Sequence, residues 1–248
     1  KLKPLSIDHI SNAGQRPSFT GKIFFLPSVC IGSRKRAIET YQASAFHMAA
    51  HKIYGMKPFE IGQLKPMQIA IISLIEDARI EMLAARNLPG INRLWKTYHD
   101  TPSSGSKTAP RMFARLARAL IDPEYETDDS WVIKGKKMFF QAKDSWHEPR
   151  ISRVIGNILG NDLGQLRVQF NAKDYVTQPA YRDDNSGIWN LPEDIHDKTR
   201  TLELEVDLVE KAQNLKSNAP TQNDKKKNDK NQNNDTGKAN LSELKEDS

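Results

Sequence analysis

Two histidines four residues apart, His47 and His51, are the residues whose type and spacing suggest chemistry most directly. On a helix this spacing stacks both imidazoles on one face, one turn apart, as in the metal-binding helix of zincin peptidases. The pair could therefore hold a zinc ion. The zincin mechanism also needs a glutamate directly after the first histidine as general base, and that position is Met48. Hydrolysis by that mechanism is therefore not expected.

A helical wheel at about 100° per residue separates these histidines from the apolar residues of the same helix. The apolar stripe consists of Ile38, Tyr41, Ala45, Met48 and Ala49. His47 and His51 lie nearly opposite it. We therefore expect them to cover a second, partly wet contact or to face solvent.

Glu76 is the second candidate for chemistry, because it falls on an apolar helix face where an unpaired carboxylate is costly to bury. Arg79, three residues further on, is the local partner, and a structural ion pair between Glu76 and Arg79 is the favoured interpretation. The alternative is a partner on the preceding helix. It gives a zincin-like metal-binding protein that uses His47, His51 and Glu76.

The stretch from Gly160 to Trp189 is dense in residues that neither a core nor a flexible linker requires. Asp and Asn beside Gly favour turns, so the stretch predicts an ordered loop. Tyr, Arg and Trp are enriched at interface hot spots. One interpretation is a partner-docking surface made by Tyr181, Arg182, Asp183, Asp184 and Trp189. The other is a structural turn whose arginine pairs with a carboxylate and whose tryptophan fills the core.

The elements that must position these residues are mainly helices. Apolar spacing, capping residues and prolines predict helices over 34–54 and 66–87, which form a hairpin, and further helices over 110–121 and 149–159. The segment 131–140 has a mixed pattern and stays unassigned. The predicted fold class is mainly α: a helical domain built on a helix hairpin, with a loop-rich segment and a disordered C-terminal linker.

Composition divides the chain into four segments. Residues 1–22 carry prolines and glycines among polar residues and predict a flexible arm, and 23–200 form the helical domain. Residues 201–216 are an uncertain helix or strand. Residues 217–248 predict a disordered polar linker, because almost no apolar side chain there can offset the entropy cost of ordering.

Charge and cysteine content exclude several classes of protein. The net charge of +6 comes from 37 basic and 31 acidic residues that are interleaved, and no nucleic-acid-binding signature is present, so specific nucleic-acid binding is not expected. The single cysteine, Cys30, is typical of the cytoplasm. No apolar run is long enough to span a membrane. No phosphate or dinucleotide motif is present, so no cofactor is expected in this chain.

Five ordered blocks stand out along the chain: Leu26-Pro27, the His47 to His51 helix, Ile75-Glu76-Asp77-Ala78-Arg79-Ile80-Glu81 with Pro89-Gly90, Leu116 to Tyr125, and Gly160 to Trp189. Together they resemble the amino-terminal region of the NorD family, over roughly residues 23 to 190. NorD proteins are von Willebrand A proteins encoded beside MoxR-type AAA+ ATPases, and they include the nitric oxide reductase activation protein and the rubisco-activating relative CbbO.

The resemblance implies a non-enzymatic, cytoplasmic adaptor that helps a MoxR-type AAA+ ATPase to activate a client metalloenzyme, nitric oxide reductase first and rubisco second. It also implies a polar linker leading to a carboxy-terminal von Willebrand A domain, which is missing here. Asp184-Asn185-Ser186 begins like the metal-adhesion motif of such domains, but Ile188 stands where the second serine belongs. The divalent-metal site of the complete family protein therefore cannot be placed in this chain.

Overall fold

Six helices dominate the residues that this computed structural model describes, which are 2–4, 16–20, 23–27, 33–55 and 57–190. The predicted mainly α fold class is confirmed. The helices are α1 (Arg34–Tyr54), α2 (Pro66–Asn87), α3 (Pro89–Lys96), α4 (Ala109–Ile121), α5 (Ser130–Gln141) and α6 (Arg150–Gln165). Short 3-10 turns cover Lys143–Ser145 and Ser186–Ile188.

Helix α2 is the central element, and it packs against α1, α3, α4 and α6. Every residue from 71 to 81 is buried, including charged ones. Helix α6 approaches it closely because α6 carries a glycine at the contact: a Cβ atom on Gly156 would lie 2.5 Å from Ile72 Cγ1 and 2.8 Å from Ile72 Cα. Only glycine fits at this distance. The α2 backbone is therefore covered from several sides, which places its charged residues away from water.

Three helical features differ from the sequence-based predictions. Helix α3 follows α2 after a single residue and was not predicted, because a proline and a glycine at its start are typical of a loop. The unassigned segment forms α5, whose first turn is capped by Asp129 through the backbone N–H groups of Trp131 and Val132. Helix α6 continues past Gly160, which lies against Gln68 of α2. Here the glycine serves close packing and does not end the helix.

The strands are short, and three of them lie near the start of the described chain. Strand β3 (Ile23–Leu26) pairs with β1 (Leu2–Pro4) in parallel and with β2 (Ser18–Thr20) in antiparallel orientation. Parts of the predicted flexible arm, 1–22, thus form two strands, because β3 supplies backbone hydrogen-bond partners. The predicted segments 201–216 and 217–248 lie outside the described residues.

A second, parallel pair of strands fixes the segment that follows α6. Strand β4 (Phe59–Glu60), in the α1–α2 connection, pairs with β5 (Trp189–Asn190), with Phe59 opposite Trp189. The indole of Trp189 also donates a hydrogen bond to Ser73 Oγ on α2, at 3.0 Å. These contacts hold residues 181–190 against the α1–α2 hairpin.

Candidate metal centre

Helices α1 and α2 present two pairs of polar residues to each other, both at a spacing of four. His47 and His51 come from α1, and Asp77 and Glu81 from α2, and all four are buried. Residues at this spacing lie on one face of a helix, so two facing pairs bring two imidazoles against two carboxylates. The hairpin therefore creates a buried polar patch in its own interface.

The fifth residue, Asp183, comes from the segment after α6. Its carboxylate is completely buried and lies against both histidines, with His47 Nε2 at 3.6 Å and His51 Nε2 at 3.9 Å from Asp183 Oδ1. Asn185, which has a left-handed backbone conformation with φ of 59°, donates its backbone N–H to Asp183 Oδ1 at 3.3 Å. The turn of the chain at Asn185 therefore points the carboxylate of Asp183 into the hairpin.

Four of these residues place one potential ligand atom each around a common point. We call them the four-ligand cluster: His47, His51, Asp77 and Asp183. Their ligand atoms all lie within 4.8 Å of one another. Asp77 Oδ1 lies 3.2 Å from His51 Nε2 and 3.7 Å from His47 Nε2. Two carboxylates and two imidazoles thus converge in the interior, each at most 4% exposed.

Glu81 lies next to the ring nitrogen of His47 that does not face the other members of the cluster. His47 Nδ1 lies 2.9 Å from Glu81 Oε1, at hydrogen-bond distance although not in good alignment. The same carboxylate accepts two hydrogen bonds from Arg182, from Nε at 3.0 Å and from Nη2 at 2.6 Å. Such a fork-shaped contact is among the strongest polar interactions of a protein interior. Glu81 is therefore an orienting group for His47.

Tyr181 and His99 extend this network. The Tyr181 hydroxyl donates to Glu81 Oε1 at 3.0 Å and lies 3.1 Å from His99 Nε2. Burial and the charge of Glu81 raise the pKa of Tyr181 well above its ordinary value. Burial, together with the charge of Arg182, lowers the pKa of His99 to about 3, so that ring is neutral. Because the phenol gives its only proton to Glu81, His99 donates from Nε2.

The charges in this interior do not balance when both histidines are neutral. Asp77, Glu81 and Asp183 contribute three negative charges, and Arg182 contributes one positive charge. Arg182 Nη1 lies 3.7 Å from Asp77 Oδ2, too far for a second direct hydrogen bond. The half-buried Arg16 offsets part of this charge from a distance, through its interaction with Asp77 and Asp183. The remaining negative charge in a dry interior is unfavourable, so a cation or protons must compensate it.

Proton binding to His47 is the compensation available to the chain by itself. Burial would lower the pKa of His47, but the carboxylates of Asp183 and Glu81 outweigh it and raise the pKa to about 10. The pKa of Asp183 is lowered, since the neighbouring histidines overcome its burial, and the pKa of Glu81 is lowered by Arg182 and His47 in the same way. The cluster thus attracts positive charge.

The predicted ion pair of Glu76 and Arg79 is present on α2 and is separate from the four-ligand cluster. Arg79 Nε and Nη2 donate to the Glu76 carboxylate at 2.7 and 2.6 Å, and Ser152 Oγ donates to it at 2.8 Å. Arg79 also donates to the Tyr54 carbonyl at 2.9 Å. The ion pair is therefore present, and Glu76 is not a ligand alongside the histidines. That position belongs to Asp77, its neighbour in sequence.

Two other sequence-based expectations differ from the structure. His47 and His51 are buried, and of the expected apolar stripe Met48 is fully buried, whereas Ile38 is 48% exposed. Helix α1 thus buries its histidine face as well as a part of its apolar stripe, because the charges of α2 and of the 181–185 segment lie against the histidines. Tyr181, Arg182, Asp183 and Trp189 are also buried, so they offer no surface to a partner, as the structural-turn interpretation expects. Docking through this segment stays a prediction for Asp184, which is exposed.

Comparison with known proteins gives no template for this site: no family model, no curated protein and no solved structure matches the chain. Among the described residues, none of the helices is both long and apolar enough to cross a membrane. The interpretation of the site therefore depends on its own geometry.

Proposed function

We propose that this domain binds one divalent transition-metal ion, Zn²⁺ as the first candidate, in the four-ligand cluster. The ligands are His47 Nε2, His51 Nε2, Asp77 Oδ1 and Asp183 Oδ1. The role proposed for the metal is structural: it would fasten the segment after α6 to the α1–α2 hairpin. This is the metal-binding alternative of the sequence analysis with Asp77 and Asp183 in the place of Glu76.

The spacing of the four ligand atoms is the observation that carries this proposal. Zinc bonds of about 2.0–2.2 Å in a tetrahedron require ligand atoms roughly 3.3–3.6 Å apart. The four separations between imidazole nitrogens and carboxylate oxygens are 3.2, 3.6, 3.7 and 3.9 Å. The other two, between the imidazoles and between the carboxylates, are at most 4.8 Å, so binding of zinc would require the side chains to contract toward the ion.

The surroundings of the ligands support the same proposal. A metal-bound histidine generally donates its second ring nitrogen to a carboxylate, and Glu81 is at hydrogen-bond distance from His47 Nδ1. Asn185 Nδ2 donates to Asp77 Oδ2 at 3.2 Å, which leaves Asp77 Oδ1 for a metal. An ion of charge +2 would also neutralise the net charge of the three carboxylates and Arg182.

Four protein ligands argue for a structural ion and against a hydrolytic one. Catalytic zinc sites keep a coordination position for water, whereas structural sites are filled by four side chains. The cluster supplies four ligands and is closed to solvent, since all four side chains are at most 4% exposed. We therefore propose that the domain is not an enzyme.

Elemental analysis of the purified full chain tests this proposal. We expect about one equivalent of zinc per chain. His51→Gln should lose it, because the amide cannot reproduce the imidazole ligand. His147→Gln is the matched control, since His147 is an exposed histidine away from the cluster. Substitution with Co²⁺ gives a second readout, because tetrahedral cobalt absorbs visible light.

A protein that binds neither zinc nor cobalt at neutral pH would overturn the proposal. The cluster would then be a buried ion network held together by a protonated His47. Retention of the metal by His51→Gln, with normal helicity, would likewise exclude this ligand set.

The adaptor role is a second candidate, and an exposed apolar stripe on α1 supports it. Ile38, Phe46 and Ile53 are 48%, 42% and 69% exposed, and they lie on the side of α1 opposite His47 and His51. Apolar residues on an exposed helix face are typical of docking sites for other proteins. We propose that this stripe contacts a MoxR-type AAA+ ATPase in the cytoplasm, which activates a metalloenzyme such as nitric oxide reductase or rubisco.

Binding to a purified MoxR-type ATPase, measured by size-exclusion chromatography, tests the adaptor role. Ile53→Asp should abolish complex formation with no loss of helicity. Val154→Asp is the control, because Val154 is 55% exposed on α6 and outside the stripe. Equal binding by both variants would exclude the stripe as the contact, and absence of any complex with the unaltered chain would exclude this ATPase class as partner.

A further inference from the structure

A cleft of about 360 Å³ lies beside the metal centre, between α2, the loop after α6 and the 184–189 segment. Its floor and walls are mostly apolar. Ile69 and Ala70 of α2 form one side, and Phe170, Tyr175 and Trp189 provide three aromatic rings. None of the four proposed metal ligands lines it. The cleft is therefore a site distinct from the metal centre.

Asn185 is a polar residue of the cleft wall that carries an unpaired hydrogen-bond acceptor. Asn185 is 4% exposed, and its Nδ2 donates to Asp77, which fixes the orientation of the amide and leaves Oδ1 as an acceptor. That Oδ1 is buried and has no hydrogen-bond partner among the described residues. Buried polar atoms are nearly always paired, so within the described part of the chain this acceptor is an unsatisfied group in the wall of the cleft.

A carboxylate lies next to this acceptor. Asp184 Oδ1 accepts hydrogen bonds from the Ser186 backbone N–H at 3.0 Å and from Ser186 Oγ at 2.7 Å. Its Oδ2 makes no hydrogen bond to the described residues. No described residue that lines the cleft carries a positive charge. The cleft thus combines a negative charge, an unpaired acceptor and aromatic faces.

We propose that this cleft binds an ammonium group carried on an apolar stem. The ammonium donates to Asp184 Oδ2, and the stem lies against Trp189 and Phe170. An ammonium has three donors and no acceptor, so it suits the free carboxylate oxygen of Asp184. The hydroxyl groups of residues that line the cleft, such as Tyr175 and Thr177, can accept further hydrogen bonds. Aromatic faces attract cations as well as apolar groups, so both parts of the ligand find suitable surroundings.

Arg16 is the nearest basic side chain that competes for this charge. It is half-buried, and its charge interacts with those of Asp77, Asp183 and Asp184. Its Nη1 donates to the Pro179 carbonyl at 3.2 Å, and it forms no ion pair with Asp184 within 4.0 Å in the described part of the chain. Arg16 also does not line the cleft. The carboxylate of Asp184 therefore remains available to a ligand.

Titration of the full chain with n-hexylamine hydrochloride and with 1-hexanol tests this proposal, because the two probes share a stem and differ in charge. Binding is followed by the indole N–H resonance of Trp189, which is assigned with Trp189→Phe. We expect n-hexylammonium to bind about tenfold more tightly than 1-hexanol, which corresponds to one charge-assisted hydrogen bond.

Asp184→Asn should reduce this preference to about twofold or less and leave the affinity for 1-hexanol unchanged, since it removes the charge alone. Asp174→Asn is the matched control, because Asp174 is an exposed carboxylate of the same loop that does not line the cleft. Ala70→Phe, which fills the cleft, should abolish binding of both probes. Equal affinity for the two probes, an unchanged preference in Asp184→Asn, or an unshifted Trp189 resonance would each overturn the proposal.

Discussion

Replacement of Asp183 by asparagine is the perturbation that separates a metal ligand from an ordinary buried carboxylate. Asparagine has nearly the same size and keeps an oxygen in the same place, so packing in this buried position is preserved. It removes the negative charge that lies 3.6 Å from His47 Nε2 and 3.9 Å from His51 Nε2. We therefore expect Asp183→Asn to act mainly by reducing the stabilisation that zinc gives to the folded protein.

The magnitude follows from linkage between binding and folding. At a free zinc concentration 100 times the Kd, a metal that binds only the folded chain stabilises it by about 2.7 kcal/mol. Outer-shell substitutions at metal sites weaken binding by about 10–100-fold, so loss of a direct ligand should weaken it by at least about 100-fold. Zinc then stabilises the variant by only about 0.4 kcal/mol. The difference of about 2.3 kcal/mol corresponds to about 5–9 °C in Tm for a domain of this size.

The assay is thermal unfolding, followed by circular dichroism, with EDTA and with buffered zinc. The measured quantity is the increase in Tm that zinc produces in each protein, which cancels any effect of the substitution on the metal-free state. Asp184→Asn is the control, because Asp184 is the exposed neighbour and should keep the full increase. An equal increase in Asp183→Asn, or none in the unaltered chain, would refute the ligand assignment.

Three further predictions concern the interior around the site. In zinc-free protein, folding raises the pKa of His47 to about 10, so protonation of His47 stabilises the fold. This stabilisation is complete below about pH 6.5 and is lost as the pH rises to about 10. Urea unfolding should therefore show a free energy of unfolding that decreases over this pH range, and His47→Gln should make the decrease smaller. Arg182→Ala removes the guanidinium from a buried carboxylate and should lower the free energy of unfolding by about 3–5 kcal/mol in urea titrations, whereas a docking role alone would leave the midpoint unchanged. Gly156→Ala should lower the free energy of unfolding by about 1–3 kcal/mol in the same assay, because its methyl group would collide with the α2 backbone. Gly164→Ala, whose methyl group would meet open space, should leave it unchanged or raise it slightly. Equal effects of the two substitutions would contradict the close approach of α6 to α2.

The helices that carry the site were predictable because their ends are marked in the sequence. Ser33 accepts a hydrogen bond from the backbone of Arg36 at the start of α1, and Pro66 occupies the first turn of α2. Such signals are local, so they mark the helix ends independently of the tertiary contacts that the rest of the chain makes. The α3 helix was missed for the same reason, since Pro89 and Gly90 mark a loop as readily as a helix start.

The face by which α1 packs could not be predicted from hydrophobic periodicity. That method assumes that apolar residues face the interior, and on α1 the interior is defined by Asp77, Glu81 and Asp183, which come from elsewhere. Two polar pairs at a spacing of four, one on each helix of the hairpin, were the available signal. Their pairing depends on how the two helices are rotated against each other. The spacing alone does not give this rotation, and Glu76 was therefore chosen where Asp77 belongs.

The order of synthesis has a consequence for the contact between Glu81 and Arg182. These residues are 101 positions apart in the chain. At a translation rate of about 5–20 residues per second, the Glu81 carboxylate exists for about 5–20 s before its guanidinium partner has been made. A nascent hairpin of α1 and α2 therefore has only the histidines of α1 to compensate its acidic groups until the chain beyond α6 arrives. The helices made first thus receive a part of their interior from residues made about a hundred positions later.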